Sequence, residues 1–130
     1  MKPESSLGIP SLPRLIVWQR AMDLLVEIYS VSREFPRDEA FGLTSQLRRA
    51  VVSVPSNIAE GVERTTLAER RRFLVVARSS LAEVETQLEA AIRLGFVPRQ
   101  RAAQAKQLSD YVGRMLTRMI RNIRAAPSQR

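Results

Sequence analysis

The residues of this chain best placed to do chemistry are arginines and a stripe of mostly uncharged polar groups. Arg114, Arg118, Arg121 and Arg124 recur three or four positions apart, and Arg70, Arg71 and Arg72 form a continuous run. On a helix the first set shares one side, where guanidinium groups can neutralise successive phosphates of a polyanion. A second set, Gln46, Arg49, Ser53, Ser56, Asn57 and Glu60, also recurs at helical spacing. At about 100° per residue it falls on an arc separate from the apolar residues Leu43, Leu47, Ala50, Val51, Val54 and Ile58. That polar arc has three readings: a solvated face, a buried hydrogen-bonded network that sets register, or the lining of a subunit interface or central channel. Solvated helix faces favour Lys and Glu. Short amides and hydroxyls pack better against backbone and each other, which favours the second or third reading.

Catalytic chemistry has little to work with. The chain contains neither histidine nor cysteine. Their absence removes the usual general base, thiolate nucleophiles, disulfides and the common zinc ligands. An enzyme would have to rely on Glu60, Glu63, Glu83, Glu85 and Glu89. A di-metal site of the helical-bundle type needs a Glu-x-x-His repeat, which this composition cannot supply. The expectation is a protein with no enzymatic activity, no cofactor and no metal.

Charge points instead to a partner. The formal net charge is +8. Met1 to Pro98 carries 13 Lys/Arg and 12 Asp/Glu, whereas Arg99 to Arg130 carries 8 Lys/Arg and 1 Asp/Glu. The excess therefore belongs to the last quarter of the chain. Such asymmetry suits nucleic acid, an anionic membrane surface or an acidic protein; the plainer alternative is arginine used as a solubilising surface residue. No apolar run approaches the roughly 20 residues of a membrane span. The segment MKPESSLGIPSLPR lacks the apolar core of a signal peptide, so a cytoplasmic location is expected. A membrane-surface role for the last helix conflicts with the need for its apolar face inside the fold.

Four elements must position these groups. Residues 1–14 hold three prolines and several serines and read as a flexible arm. Helix one is expected over about Ile16–Glu34, with Trp18 as a core or interface anchor and an apolar surface wide enough for two neighbours. Phe35-Pro36 ends it. Helix two is expected over about Glu39–Glu60, with Asp38 and Glu39 at its amino end. Pro55 lies inside it and forfeits the bond to the Val51 carbonyl, at roughly 3 kcal/mol. The apolar spacing keeps its phase through Pro55, which predicts a kink held by packing rather than a break. Gly61 is expected to end this helix with a left-handed backbone.

Thr66-Leu67-Ala68-Glu69 fits a capping box and starts helix three, Leu67–Leu94. Leu67, Leu74, Leu81 and Leu88, with Ala77, Val84 and Ala91 between them, form a bundle seam. Arg70 occupies one seam position, from which its stem is expected to reach solvent. The triple arginine opposes the helix dipole; it either serves a ligand or pairs with acids such as Glu60 or Asp38. Gly95 and Pro98 separate helix three from helix four, Arg99–Arg124. Leu108, Val112, Met115, Leu116, Met119, Ile120 and Ile123 define its inner face, and residues 126–130 read as a frayed tail. Residues 15–125 thus predict an all-α, antiparallel up-down-up-down four-helix bundle.

The run FPRDEAFGLTSQLRRAVVSVPSNIAEGVER, Phe35 to Arg64, resembles the signature of a bacterial four-helix-bundle family known as 23S rRNA intervening-sequence proteins. The resemblance extends through VWQRAMDL upstream and RRFLVVARSSLAEVETQL downstream, roughly Val17 to Phe96. It departs from the family pattern at Arg78-Ser79-Ser80, where a glycine commonly precedes the serine. The resemblance implies a homo-oligomer, with a ring-shaped pentamer among the known arrangements. Similar bundles include retroelement accessory proteins that pair with a reverse transcriptase and nucleic acid. It therefore implies association with RNA or DNA, or with a nucleic-acid-processing protein. Without a base-reading motif, contact is expected to run through the phosphate backbone. The competing expectation is an adaptor oligomer that binds another protein and no nucleic acid.

Overall fold

The computed structural model describes residues 15–125; the arm over 1–14 and the tail over 126–130 lie outside the described residues. Within them the chain is all-α. It has four helices, α1 (Ile16–Ser32), α2 (Leu43–Val62), α3 (Leu67–Arg93) and α4 (Ala103–Ala125), and a 3-10 turn over Arg37–Glu39 before α2. Helix α2 makes its most extensive contact with α3; α1 packs on α2 and α4, and α3 also packs on α4.

The core is aliphatic and follows the expected stripes. Val17, Leu24, Ile28 and Val31 of α1 are fully buried, as are Leu47, Val51, Val54 and Ile58 of α2. The α3 seam holds from Leu74 onward: Leu74, Leu81 and Leu88 are buried with Ala77, Val84 and Ala91, whereas Leu67, expected at its first position, is only half-buried. From α4, Val112, Leu116 and Ile120 complete it. Trp18 packs against this core partly buried, as an anchor should. The two connections at one end meet through Phe35 and Phe96, whose ring centroids are 5.9 Å apart.

Helix boundaries depart from expectation chiefly in three places. Helix α2 starts at Leu43 rather than Glu39 because residues 37–39 form a tighter turn. The Glu39 carboxylate still serves the helix amino end, accepting from the Leu43 N–H at 3.1 Å. Helix α4 starts at Ala103 rather than Arg99, since residues 99–102 form turns bonded back to Pro98 and its neighbours. Gly61 does not end α2. It lies inside the helix, and the one glycine with a positive φ among the described residues is Gly95, at 80°. Gly61 is there for space: a β-carbon would stand 3.2 Å from Phe73 Cβ and 3.3 Å from the Arg70 carbonyl oxygen. The helix runs without a break through the buried Pro55.

Thr66 caps α3 as expected, its hydroxyl accepting from the Glu69 N–H at 3.2 Å.

Candidate nucleic-acid interface

The arginines sort into two classes, those tied to the fold and those left to solvent. Arg70 belongs to the first, which corrects the expectation that it reaches solvent. It is 2% exposed, and its Nη2 donates to the Val62 and Arg64 carbonyls, both at 3.1 Å. These carbonyls sit at the C-terminal end of α2, where backbone acceptors lack intrahelical partners. Burial holds the Arg70 guanidinium pKa below its usual value, and the charge of Glu63 opposes that shift. Arg71 is half-buried. Arg72 is exposed and lies over the Phe73 ring at 4.6 Å, with Arg64 also over that ring at 4.9 Å. Glu60, offered as a partner for the triple arginine, pairs with Arg64 instead.

Much of the basic excess at the start of the last quarter is also spoken for. Arg101 pairs with Glu27 and Glu34 of the α1 segment and donates to Ser30 Oγ at 2.8 Å. Arg99 forms a two-pronged bond with Glu89, both distances 2.9 Å, and Arg93 joins the same carboxylate. Hydrogen bonds from Arg99 and then Arg93 hold the Glu89 carboxyl down to about 2. Lys106 faces Asp110.

Four arginines without an ion pair gather in one place. Arg114, Arg118 and Arg121 of α4, joined by Arg78 of α3, line an open groove of about 570 Å³ between the two helices. None of the four makes an ion pair with another described residue. Leu81 and Gly113 form part of the groove lining, where α3 and α4 approach closely; a β-carbon at Gly113 would meet Leu81 Cδ2 at 3.3 Å. Glu85 and Asp110 also line the groove, the first accepting from Ser109 Oγ at 2.8 Å and the second facing Lys106. Arg70, Arg71 and Arg72 do not line it. Arg124 lies on α4, but its side chain is outside the described residues. Sequence spacing missed Arg78, because its companions lie on another helix.

The polar arc of α2 divides. Ser53 and Asn57 are half-buried and form a network: Asn57 Nδ2 donates to Ser53 Oγ at 2.9 Å and to the Ser53 carbonyl at 2.8 Å, and Ser53 Oγ meets Ser80 Oγ at 2.7 Å. Ser80 is buried and Ser79, at the departure from the family pattern, is exposed. Gln46, Arg49, Ser56 and Glu60 are exposed. Gln46, Arg49 and Ser53 share an open groove of about 380 Å³ with Glu83 and Gln87 of α3.

Among the described residues no group of three or more His, Cys, Asp or Glu is placed to hold a metal ion. No helix among them is long and apolar enough to cross a membrane.

Comparison with known proteins gives a family and a fold. The model of the 23S rRNA-intervening sequence protein family matches residues 13–118. The fold is similar to a crystal structure of a protein of unknown function from the S23 ribosomal protein family of Bacteroides thetaiotaomicron. The TM-score is 0.74 at 22% identity, covering 80% of this chain and 97% of that one. No curated protein matches the chain.

Proposed function

Since the chain belongs to the 23S rRNA-intervening sequence protein family, we propose that it is a non-enzymatic, cytoplasmic homo-oligomer that binds the backbone of RNA or DNA. The carrying observation is the groove in which Arg78, Arg114, Arg118 and Arg121 converge without a carboxylate partner among the described residues. Arginines on two facing helices present positive charge from both walls, which suits a phosphate chain. The family description, with its reference to ribosomal RNA, supports RNA as the first ligand to test.

In this reading the helices run up-down-up-down. Ser53 opposite Ser80, and Gly61 opposite Phe73, support opposed directions for α2 and α3. Ser109 against Glu85 and Gly113 against Leu81 support the same for α3 and α4. The oligomer is a closed ring, with a pentamer as the leading subunit number.

Binding of labelled single-stranded RNA and duplex DNA, measured from about 50 mM to about 200 mM salt, tests the proposal; affinity should fall steeply across that range. Exchanging Arg118 and Arg121 for glutamate should abolish binding while helical content is retained. No binding at low salt, or binding indifferent to salt, would overturn it. One observation favours a second reading, an adaptor that binds an acidic protein surface. Glu85 and Asp110 add negative charge to the same groove, a mixed-sign pattern that a protein can match. Partners that persist after nuclease treatment would favour the adaptor.

A further inference from the structure

The arginine groove carries a gradient of charge along its length. Ser109 meets Glu85 across it, and one turn further along α4 Gly113 approaches Leu81. Arg114, Arg118 and Arg121 follow in that direction, and Arg78 lies seven residues before Glu85 on α3. At 1.5 Å per residue, the α4 arginines begin about 7.5 Å from Ser109 and reach about 18 Å from it. Guanidinium groups thus occupy the greater part of the groove, and Glu85 and Asp110 occupy its end.

The two carboxylates differ. Asp110 faces Lys106 at 3.7 Å. Glu85 is half-buried and joins no ion pair with another described residue. Its Oε2 accepts from Ser109 Oγ at 2.8 Å, and that serine is 1% exposed. A buried donor holds the carboxylate in one place. A carboxylate offers about four acceptor positions, so Glu85 retains capacity for a further donor. Holding the serine requires an acceptor but no charge, and a glutamine would serve. The negative charge is what the contact with Ser109 leaves unused.

That end of the groove suits a neutral donor attached to a phosphate chain. A phosphate placed there would meet Glu85 with like charge at short range. A hydroxyl would instead give a charge-assisted hydrogen bond. Carboxylates accept from the ribose 2′-hydroxyl in dinucleotide sites, and the same hydroxyl distinguishes RNA from DNA. We propose that Glu85 accepts a 2′-hydroxyl of a strand whose phosphates lie on Arg78, Arg114, Arg118 and Arg121, so that the groove selects RNA over DNA without reading bases. Ser109 is the positioning residue. This rests on the nucleic-acid reading above and names its substrate.

Single strands of one sequence without uracil or thymine test it, prepared as RNA, as 2′-O-methyl RNA and as DNA and titrated with the full chain at low salt. RNA should bind about tenfold tighter than the other two, the effect of one hydrogen bond to a charged group. Glu85→Gln keeps an acceptor for Ser109 and removes the charge. DNA should bind this variant more tightly than the parent, and the RNA-to-DNA ratio should fall toward one. Glu83→Gln removes the same charge from the same helix outside the groove and should leave the ratio at its parental value. Equal binding of all three strands would overturn the selection and leave the nucleic-acid reading standing. A ratio that survives Glu85→Gln would overturn the role of Glu85. So would an equal loss of RNA and DNA binding, which would mean that the carboxylate takes a base amino group or serves the fold. Binding of no strand at all would overturn both the selection and the reading beneath it.

Discussion

The hydroxyls of Ser53 and Ser80 stand 2.7 Å apart across the contact between α2 and α3, and Asn57 donates to Ser53 from the next turn. They place a polar tie inside an otherwise aliphatic contact, where an apolar neighbour could slide by a turn at little cost. Removing one member leaves a part-buried polar group short of a partner, at roughly 1–3 kcal/mol. Ser53→Ala and Ser80→Ala should each destabilise by about that amount. The double variant should lose less than the sum, because both members of the pair are gone. Urea denaturation of the four proteins measures the coupling; strict additivity would show that the two hydroxyls do not interact.

Arg70 should prove a residue of stability and not of binding. Its guanidinium is buried against the Val62 and Arg64 carbonyls. Hydrogen bonds from a charged group contribute about 1.5–3 kcal/mol, so Arg70→Met should cost on the order of 2–4 kcal/mol. Nucleic-acid affinity of the folded variant should match the parent. A variant of parental stability with tenfold weaker binding would reverse that assignment.

The groove arginines should show in the salt dependence itself. Each phosphate deprived of its guanidinium should reduce the slope of log affinity against log salt by about 0.7 for single strands and about 0.9 for duplex. Arg118→Ala with Arg121→Ala should therefore flatten it by about 1.4 or about 1.8 respectively. Arg72→Ala, outside the groove, should leave the slope alone. Titration against a labelled oligonucleotide at several salt concentrations distinguishes the two classes.

Glu89 sets a feature of the acid limb. Its carboxyl is held down from 4.5 to about 2 by Arg99 and Arg93. A folded-state value below the unfolded one adds stability above the ordinary carboxylate range, and that stability is lost as pH falls toward 2. The melting-temperature gap between the parent and Glu89→Gln should be constant above about pH 4.5 and close as pH approaches 2. A gap independent of pH would show that the carboxylate charge is not what matters. The pair is exposed, so the gap should also narrow in high salt.

Two helical glycines should respond oppositely to alanine. Alanine is favoured over glycine in a helix by about 0.8–1 kcal/mol. At Gly113 the added carbon meets only the end of the Leu81 side chain, which can move aside, so Gly113→Ala should raise the melting temperature. At Gly61 it meets the Arg70 carbonyl and Phe73 Cβ, which cannot, so Gly61→Ala should lower it. Thermal denaturation followed by circular dichroism decides both signs.

The elements were legible because periodicity is local. Apolar spacing alone located the α3 seam, the inner face of α4 and the continuity of α2 through Pro55. The pattern Thr66-x-x-Glu69 marked a helix start that the structure keeps. Two errors, the starts of α2 and α4, fell where a local turn precedes the helix; the others fell where a residue's role depends on a neighbour distant in sequence. Gly61 looked like a terminator until Phe73 came against it. Arg70 looked like a solvent-reaching seam residue until the end of α2 folded over it.

By itself, then, the sequence determined the helices, their buried faces, the absence of histidine and cysteine, and the basic excess of the last quarter. Tertiary structure decided which arginines remain available. Arg99 and Arg101 are drawn to Glu89, Glu27 and Glu34 across the fold, while Arg78 is carried from α3 to the side of Arg114, Arg118 and Arg121. The physical reason is range. Helical periodicity acts over three or four residues, whereas ion pairing acts through space over a few ångströms, and only packing sets which charges come that close.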